Sequence, residues 1–256
     1  MTRRLIDLLA PWLLIALLIA GWELACDALH VPAVILPPPT QIAAAGAANL
    51  GLLLSAAWNT LAVALTALVL ASLIGCVSAL IVALNPLLER SVQPIVTTLQ
   101  VTPVIAIAPL VVIWAGLEHP ERAVTALATI VSFFPIYSGA VTGLKAADPD
   151  LVRLFDVYGA SPWRKLVRLR LPSAVPFLLQ GHKVAAGLAL VGAVVAEWVA
   201  GTGATQGLAW RILEEEHRLE TAKMFAAVFL MAVMGAVLYA ILQAAERVIL
   251  RQWRGR

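Results

Sequence analysis

Long apolar runs alternate with short polar stretches along this chain. A helix rises about 1.5 Å per residue, so about 20 residues cross a hydrocarbon layer about 30 Å thick. Six runs are long enough: residues 8–29, 56–84, 92–117, 123–144, 175–200 and 223–250. The second has length to spare for tilt or an interfacial elbow. The third is the least regular, with Pro94, Pro103 and Pro109 inside it. Proline frees backbone carbonyls that lipid cannot satisfy, so this run must lie against other helices or a wet cavity. The pattern predicts an all-α polytopic membrane protein of six transmembrane helices, with residues 1–256 as a single domain.

Composition removes the alternatives. Of 256 residues, 61% are hydrophobic and 13% charged, and the mean hydropathy is +0.91. Soluble domains are about 45–50% apolar and about 25% charged. A water-soluble globule with these numbers could not cover its own apolar surface, and a disordered chain would be far more polar.

The net charge of +3 would raise nucleic acid as a partner in a soluble protein. Here the distribution reads as orientation charge, and no nucleic acid partner is expected. Residues 30–55 hold no Lys or Arg, whereas loop 145–173 holds Lys145, Arg153, Arg164, Lys165, Arg168 and Arg170. With both termini cytoplasmic, fourteen of the 18 basic residues fall inside and four outside. That count places Lys183 inside, snorkelling back from the fifth span. Arg3-Arg4, an apolar run and Ala25-Cys26 have the outline of a secretion signal with a lipid-attachment cysteine. Glu23 stands where such a site wants an aliphatic residue, and the run is long enough to span, so a retained first helix is expected.

Catalytic motifs are missing. The sequence has no phosphate loop, no H-E-x-x-H and no cysteine pair at zinc spacing. Cys26 and Cys76 lie in apolar runs and read as small hydrophobes. His30, His119, His182 and His217 are scattered and read as solvated or interfacial side chains. A non-enzyme is expected, with no cofactor or metal held by this chain.

The most informative stretch is the basic loop. Asp148 is an N-cap candidate with Pro149 at the first helical position. Leu151, Leu154, Phe155 and Tyr158 follow at helical spacing and make one apolar stripe. Gly159 supplies a stop, and Ser161-Pro162 repeats the start signal. Trp163, Leu166, Val167 and Arg170 continue helically to Leu171-Pro172, where proline is expected to end the helix. The pattern allows two readings. One is a hairpin lying on lipid headgroups; the other is a docking site, since a glycine turn admits another backbone.

Gly159, nine residues, Leu169, one residue and Leu171-Pro172 resemble the tail of the "EAA" loop of ABC importer permeases. The flanks, Val157-Tyr158-Gly159-Ala160-Ser161-x-Trp163 and Leu171-Pro172-Ser173-Ala174-Val175-Pro176, resemble the nitrate/taurine/aliphatic-sulfonate branch. So do Leu36-Pro37-Pro38-Pro39-Thr40-Gln41 and the fifth span from Gly181-His182-Lys183 to Val194-Val195-Ala196-Glu197. Three positions depart from the pattern. Arg153 and Phe155 stand where the family has Glu and the second Ala, and Gly207-Leu208-Ala209 stands where it has G-L-G.

The resemblance implies a type I ABC importer permease fold in a bacterial inner membrane. It implies two ATPase subunits carrying the ATP and Mg, a second permease copy in a homodimer, and a periplasmic or lipid-anchored substrate-binding protein. The first loop helix, ending at Gly159, would be the coupling helix. Tyr158, Gly159, Ala160 and Ser161 would meet the ATPase, while Leu171 and Pro172 would fix the exit into span five. The implied cargo is a sulfonate, taurine or nitrate, with a pyrimidine vitamin precursor or riboflavin as the alternative. An ion-gradient transporter or a membrane scaffold remains the different-class alternative.

Candidate path residues are polar groups within spans. Span three carries Gln93, Thr97, Thr98, Gln100 and Thr102, consistent either with a wet path or with helix–helix hydrogen bonding. Asn59, Thr60 and Thr66 invite the same pair of readings. Glu197 is the acidic residue of span five, near its outer end; it reads as a gate, a partner for another helix or a cargo contact. Glu214, Glu215, Glu216 and Glu220 with Arg211 and Arg218 read as a solvated face that could also receive the binding protein. Most of the tryptophans lie near span ends, as an aromatic belt requires.

Overall fold

The computed structural model describes residues 2–116, 119–200 and 206–254, and every regular element within them is a helix. In chain order these are α1 (Thr2–Ala28), α2 (Pro39–Ala48), α3 (Leu50–Ala83), α4 (Pro86–Val101), α5 (Val104–Ala115), α6 (Pro120–Lys145), α7 (Pro149–Val157), α8 (Pro162–Lys165), α9 (Leu171–Ala200), α10 (Leu208–His217) and α11 (Thr221–Arg254). Helices α1, α3, α6, α9 and α11 are each long and apolar enough to cross a membrane.

The third expected span, 92–117, is not one rod. It is the pair α4 and α5, which meet at a bend of 97°. At 16 and 12 residues, neither half reaches the length needed to cross by itself. The break falls at Thr102, whose backbone turns extended (φ −67°, ψ 126°) ahead of Pro103. Proline disfavours the helical conformation of the residue before it, which is why the ladder stops there. Thr102 Oγ1 donates back to the Thr98 carbonyl at 3.0 Å and satisfies one acceptor the break exposes. Pro94 and Pro109 lie inside their helices without ending them.

Small residues build the centre. A Cβ at Gly139 would stand 2.8 Å from the Phe177 carbonyl oxygen, and one at Gly181 would stand 2.7 Å from that of Pro135. Gly143 and Gly192 face Ala174 and Ala128 at 2.8 Å in the same sense. Helices α6 and α9 therefore touch backbone to backbone along their length, the small-residue packing that replaces the hydrophobic effect inside lipid. Helix α3 joins them through Ala67, Ala71 and Ala79, all buried. The loop that carries α7 and α8 springs from this fused pair, leaving α6 and returning into α9.

Two helices lie where the pattern gave only loops. Helix α2 begins at Pro39, and the Glu23 carboxylate of α1 accepts from both the N–H (3.0 Å) and the hydroxyl (2.6 Å) of Thr40. A carboxylate there satisfies an orphan donor and complements the helix dipole. Helix α10 lies at the opposite end of α9 from the α7–α8 loop.

Candidate functional site

The loop helix α7 is locally self-sufficient. Asp148 Oδ1 accepts from Asp150 N–H at 2.8 Å, and Pro149 fills the first helical position. At the other end Ala160 N–H bonds to Phe155 C=O at 2.9 Å, and Gly159 N–H bonds to Asp156 C=O at 3.0 Å. This is a Schellman closure, and it requires the left-handed Gly159 (φ +63°). Ser161 Oγ then accepts from Arg164 N–H at 3.3 Å and starts α8, while Lys165 pairs with Asp156 across the turn. The result is a short stiff helix with closed ends.

None of the nine α7 residues is buried. Leu151 and Leu154 of the apolar stripe are exposed, Val157 is 84% exposed and Tyr158 80%. Nothing stands within 4 Å of a Cβ placed on Gly159. Phe155 is the one member of that stripe that is partly covered, so most of the stripe faces away from this chain.

Proline at 172 does not end the helix. The chain continues from α8 through one wide π turn, Leu166–Arg170, directly into α9. Pro172 has no N–H to offer the preceding turn, and the wider turn absorbs the missing bond. Leu166 and Leu169 are buried in that turn, and Leu166 packs with Leu144 and Ala174 at the root of the loop. The helix is thereby continuous from the start of α8 into α9.

The other predicted residues separate. Gln93, Thr97 and Gln100 lie exposed along α4, while Leu88, Val92 and Val96 pack against α3 and α6. Thr102 sits at the break and lines a cavity of about 400 Å³ with Leu99, Ile107, Thr129, Phe133 and Phe134 among its walls. Glu197 is elsewhere and is 2% exposed, so it does not reach water. Its carboxylate accepts from Thr60 Oγ1 at 3.3 Å and from Ala209 N–H at 3.2 Å. Thr60 in turn accepts from Leu208 N–H at 2.9 Å. Glu197 and Thr60 together hold the first turn of α10.

Lys183 does not snorkel. It pairs with Glu246 of α11 at 2.6 Å. His182 bonds to Ser72 of α3 at 2.8 Å and to the Leu178 carbonyl at 2.7 Å. The acidic stretch of α10 is only partly a solvated face. Arg211 and Arg218 both pair with Glu214, at 2.6 Å and 2.7 Å. Glu215 is buried with Oε2 unpartnered, and burial pushes its carboxyl above the ordinary range. Glu220 is held below that range by its bond from Lys223. Among the described residues no group of His, Cys, Asp and Glu is placed to hold a metal.

The described helices form a polytopic membrane subunit with a capped loop helix rooted in two fused spans. Residues 71–251 match the model of the binding-protein-dependent transport system inner membrane component, and the chain belongs to that family. It is similar to the formylaminopyrimidine transport permease protein of Halalkalibacterium halodurans, 30% identical over 98% of both chains. It is also similar to the taurine transport system permease protein of Escherichia coli, 29% identical over 94% of this chain and 88% of that one. A chain of the MetNI methionine ABC transporter shares the fold, with a TM-score of 0.65 at 19% identity over 80% of this chain and 97% of that one. The protein is thus a multi-pass permease subunit of an ABC importer, and ATP hydrolysis belongs to separate subunits.

Proposed function

We propose that two copies of this chain form the membrane path of an ATP-driven importer, with α7 seated in a partner ATPase that binds the ATP and Mg. The observation that carries this is the exposed apolar stripe on a helix closed at both ends and rooted in α6 and α9. In this reading Tyr158, Gly159, Ala160 and Ser161 form the contact, and Leu171 and Pro172 carry force into α9. The basic α7–α8 loop faces the cytoplasm of a bacterial inner membrane, and the α10 face receives a substrate-binding protein. The polar side of α4, including Gln100, faces the second copy across the path, with Thr102 at its bend.

Cargo is a small nutrient. The loop flanks and the taurine relative support a sulfonate, taurine or nitrate. The end-to-end match to the formylaminopyrimidine permease supports a pyrimidine precursor as the second reading. The test is Gly159→Trp in the reconstituted transporter. The indole fills space this chain leaves empty, and the left-handed backbone costs about 1–2 kcal/mol in a side-chain-bearing residue. The expected result is normal membrane insertion with ATP turnover that no longer responds to the binding protein. Wild-type stimulation would refute the contact. Uptake of labelled taurine and of labelled formylaminopyrimidine by the wild type separates the cargo readings.

A further inference from the structure

Two opposite charges lie inside the span region where two nonpolar residues would fit lipid better. Lys183 and Glu246 meet at 2.6 Å, and their side chains are only 12% and 16% exposed. They stand on neighbouring helices, Lys183 in α9 and Glu246 in the last third of α11. Charges at such depth are expensive and persist where they pair and serve a function.

Their position shows what they hold. The first half of α11 is fixed by packing. Phe225, Leu230 and Met234 join buried clusters, and Gly235 lies against Leu190, where a Cβ would stand 3.3 Å from its Cδ2. Beyond residue 235, no α11 residue enters a buried cluster among the described residues. Leu238, Leu242 and Leu250 on that half are only partly buried, and the Lys183–Glu246 ion pair ties it to α9. Its α9 end sits one residue from His182, which bonds α3. At this one level α9 is linked to α3 on one side and to α11 on the other.

We propose that Lys183 and Glu246 are positioning residues for coupled transport: the pair makes the second half of α11 follow α9 when α7 moves. This rests on the importer reading above. An ion pair suits the task because separating it in low dielectric is costly, so the two helices move together or not at all. An apolar contact of the same area resists sliding much less, because dispersion forces have no preferred partner.

The test uses the complete transporter in lipid nanodiscs, with basal and binding-protein-stimulated ATP turnover as readouts. Replacing both residues, Lys183→Met with Glu246→Leu, removes the charges without leaving one unpaired and should preserve assembly. The expected result is wild-type yield and basal turnover, with stimulation reduced about tenfold. The exchanged pair, Lys183→Glu with Glu246→Lys, should recover stimulation to within about twofold of wild type. Full stimulation in the apolar pair would overturn the proposal, as would an assembled exchanged pair that stays unstimulated. If wild-type turnover ignored the binding protein altogether, the importer reading would fall, and this inference with it.

Discussion

Thr60 and Glu197, 137 positions apart in sequence, share a hydrogen bond of 3.3 Å that is sealed from solvent, and between them they close the N-terminus of a third helix. The Leu208 and Ala209 N–H groups of α10 would otherwise be orphan donors in a buried place. A carboxylate at a helix N-terminus also meets the positive end of its dipole. Glycine at 207 follows from this arrangement, because a Cβ there would run into the Glu197 carboxylate. Gly207→Ala is therefore expected to destabilise the fold by about 1–3 kcal/mol, the usual cost of overpacking. In a chain of this size that is a fall in Tm of about 2–4 °C per kcal/mol. Thermal melting of the purified protein in detergent checks it, and an unchanged Tm would count against the contact.

The same contact separates the roles open to Glu197. In Glu197→Gln the amide oxygen can still accept from Ala209, and the Thr60 hydroxyl can turn to accept from the amide nitrogen. In Glu197→Ala both donors lose their partner, at about 1–3 kcal/mol for each group left unsatisfied. Glu197→Gln should retain most stability and most uptake, and Glu197→Ala should lose both together. A cargo contact through charge would give the opposite: Glu197→Gln with unchanged Tm and no uptake.

The α6–α9 seam predicts a sharp contrast among glycines. Gly139→Leu or Gly181→Leu must force two backbones apart, since even a Cβ at either site would stand under 3.0 Å from a carbonyl oxygen. Either variant should fail to accumulate in membranes. Gly187, on the same helix α9, has nothing within 4 Å of a Cβ. Gly187→Ala should accumulate normally and gain a few tenths of a kcal/mol from helix propensity, up to about 1 kcal/mol. Immunoblots of membrane fractions decide it; equal levels for all three would remove the seam as the structural centre.

Local rules account for what was legible in the sequence. Asp148-Pro149, Gly159 and Ser161-Pro162 signal caps and turns by chemistry confined to a few residues; α7 starts and stops, and α8 starts, at those signals. The long apolar runs likewise declare themselves by length. What escaped depends on partners far along the chain. Pro103 broke its run while Pro94 and Pro109 did not, and nothing local distinguishes them. Pro172 carries a stop signal, but a π turn takes the helix past it. For Glu197 the sequence shows the position near the outer end of the span but not the α10 turn that covers it. Lys183 read as snorkelling because Glu246 lies 63 positions away on another helix. The tail of the loop motif, from Gly159 to Pro172, was visible at once because its spacing is set within one segment.

The capping of α7 can be separated from its surface. Asp148→Ala removes the acceptor of the Asp150 N–H and leaves the exposed stripe untouched. Loss of an N-cap costs about 0.5–2 kcal/mol. For a helix of nine residues that is enough to fray the first turn, since short helices are marginal without support. If stiffness transmits force, Asp148→Ala should bind the ATPase normally and show reduced binding-protein stimulation, and Asp148→Ser should restore it. Full stimulation in Asp148→Ala would mean that the contact surface alone suffices.

Glu215 gives a pH dependence with a definite sign. It is buried on α10, one carboxylate oxygen has no partner, and burial raises its pKa above the value it has in the unfolded chain. Glu214 and Glu220 push in the same direction, while Lys223 and Arg218 oppose them. A group that binds its proton more tightly when folded stabilises the fold where it is protonated. That contribution is complete below the unfolded carboxylate value and is lost as pH rises through the raised folded value. At neutral pH Glu215 is therefore a burden, either charged in a poor environment or holding a proton against the solution. Glu215→Gln keeps the shape and removes the charge. It should melt higher than wild type at pH 7, and the difference should shrink as the pH is lowered towards 4. A Tm difference that stayed constant between those values, or grew in acid, would show that the carboxylate is not buried as described.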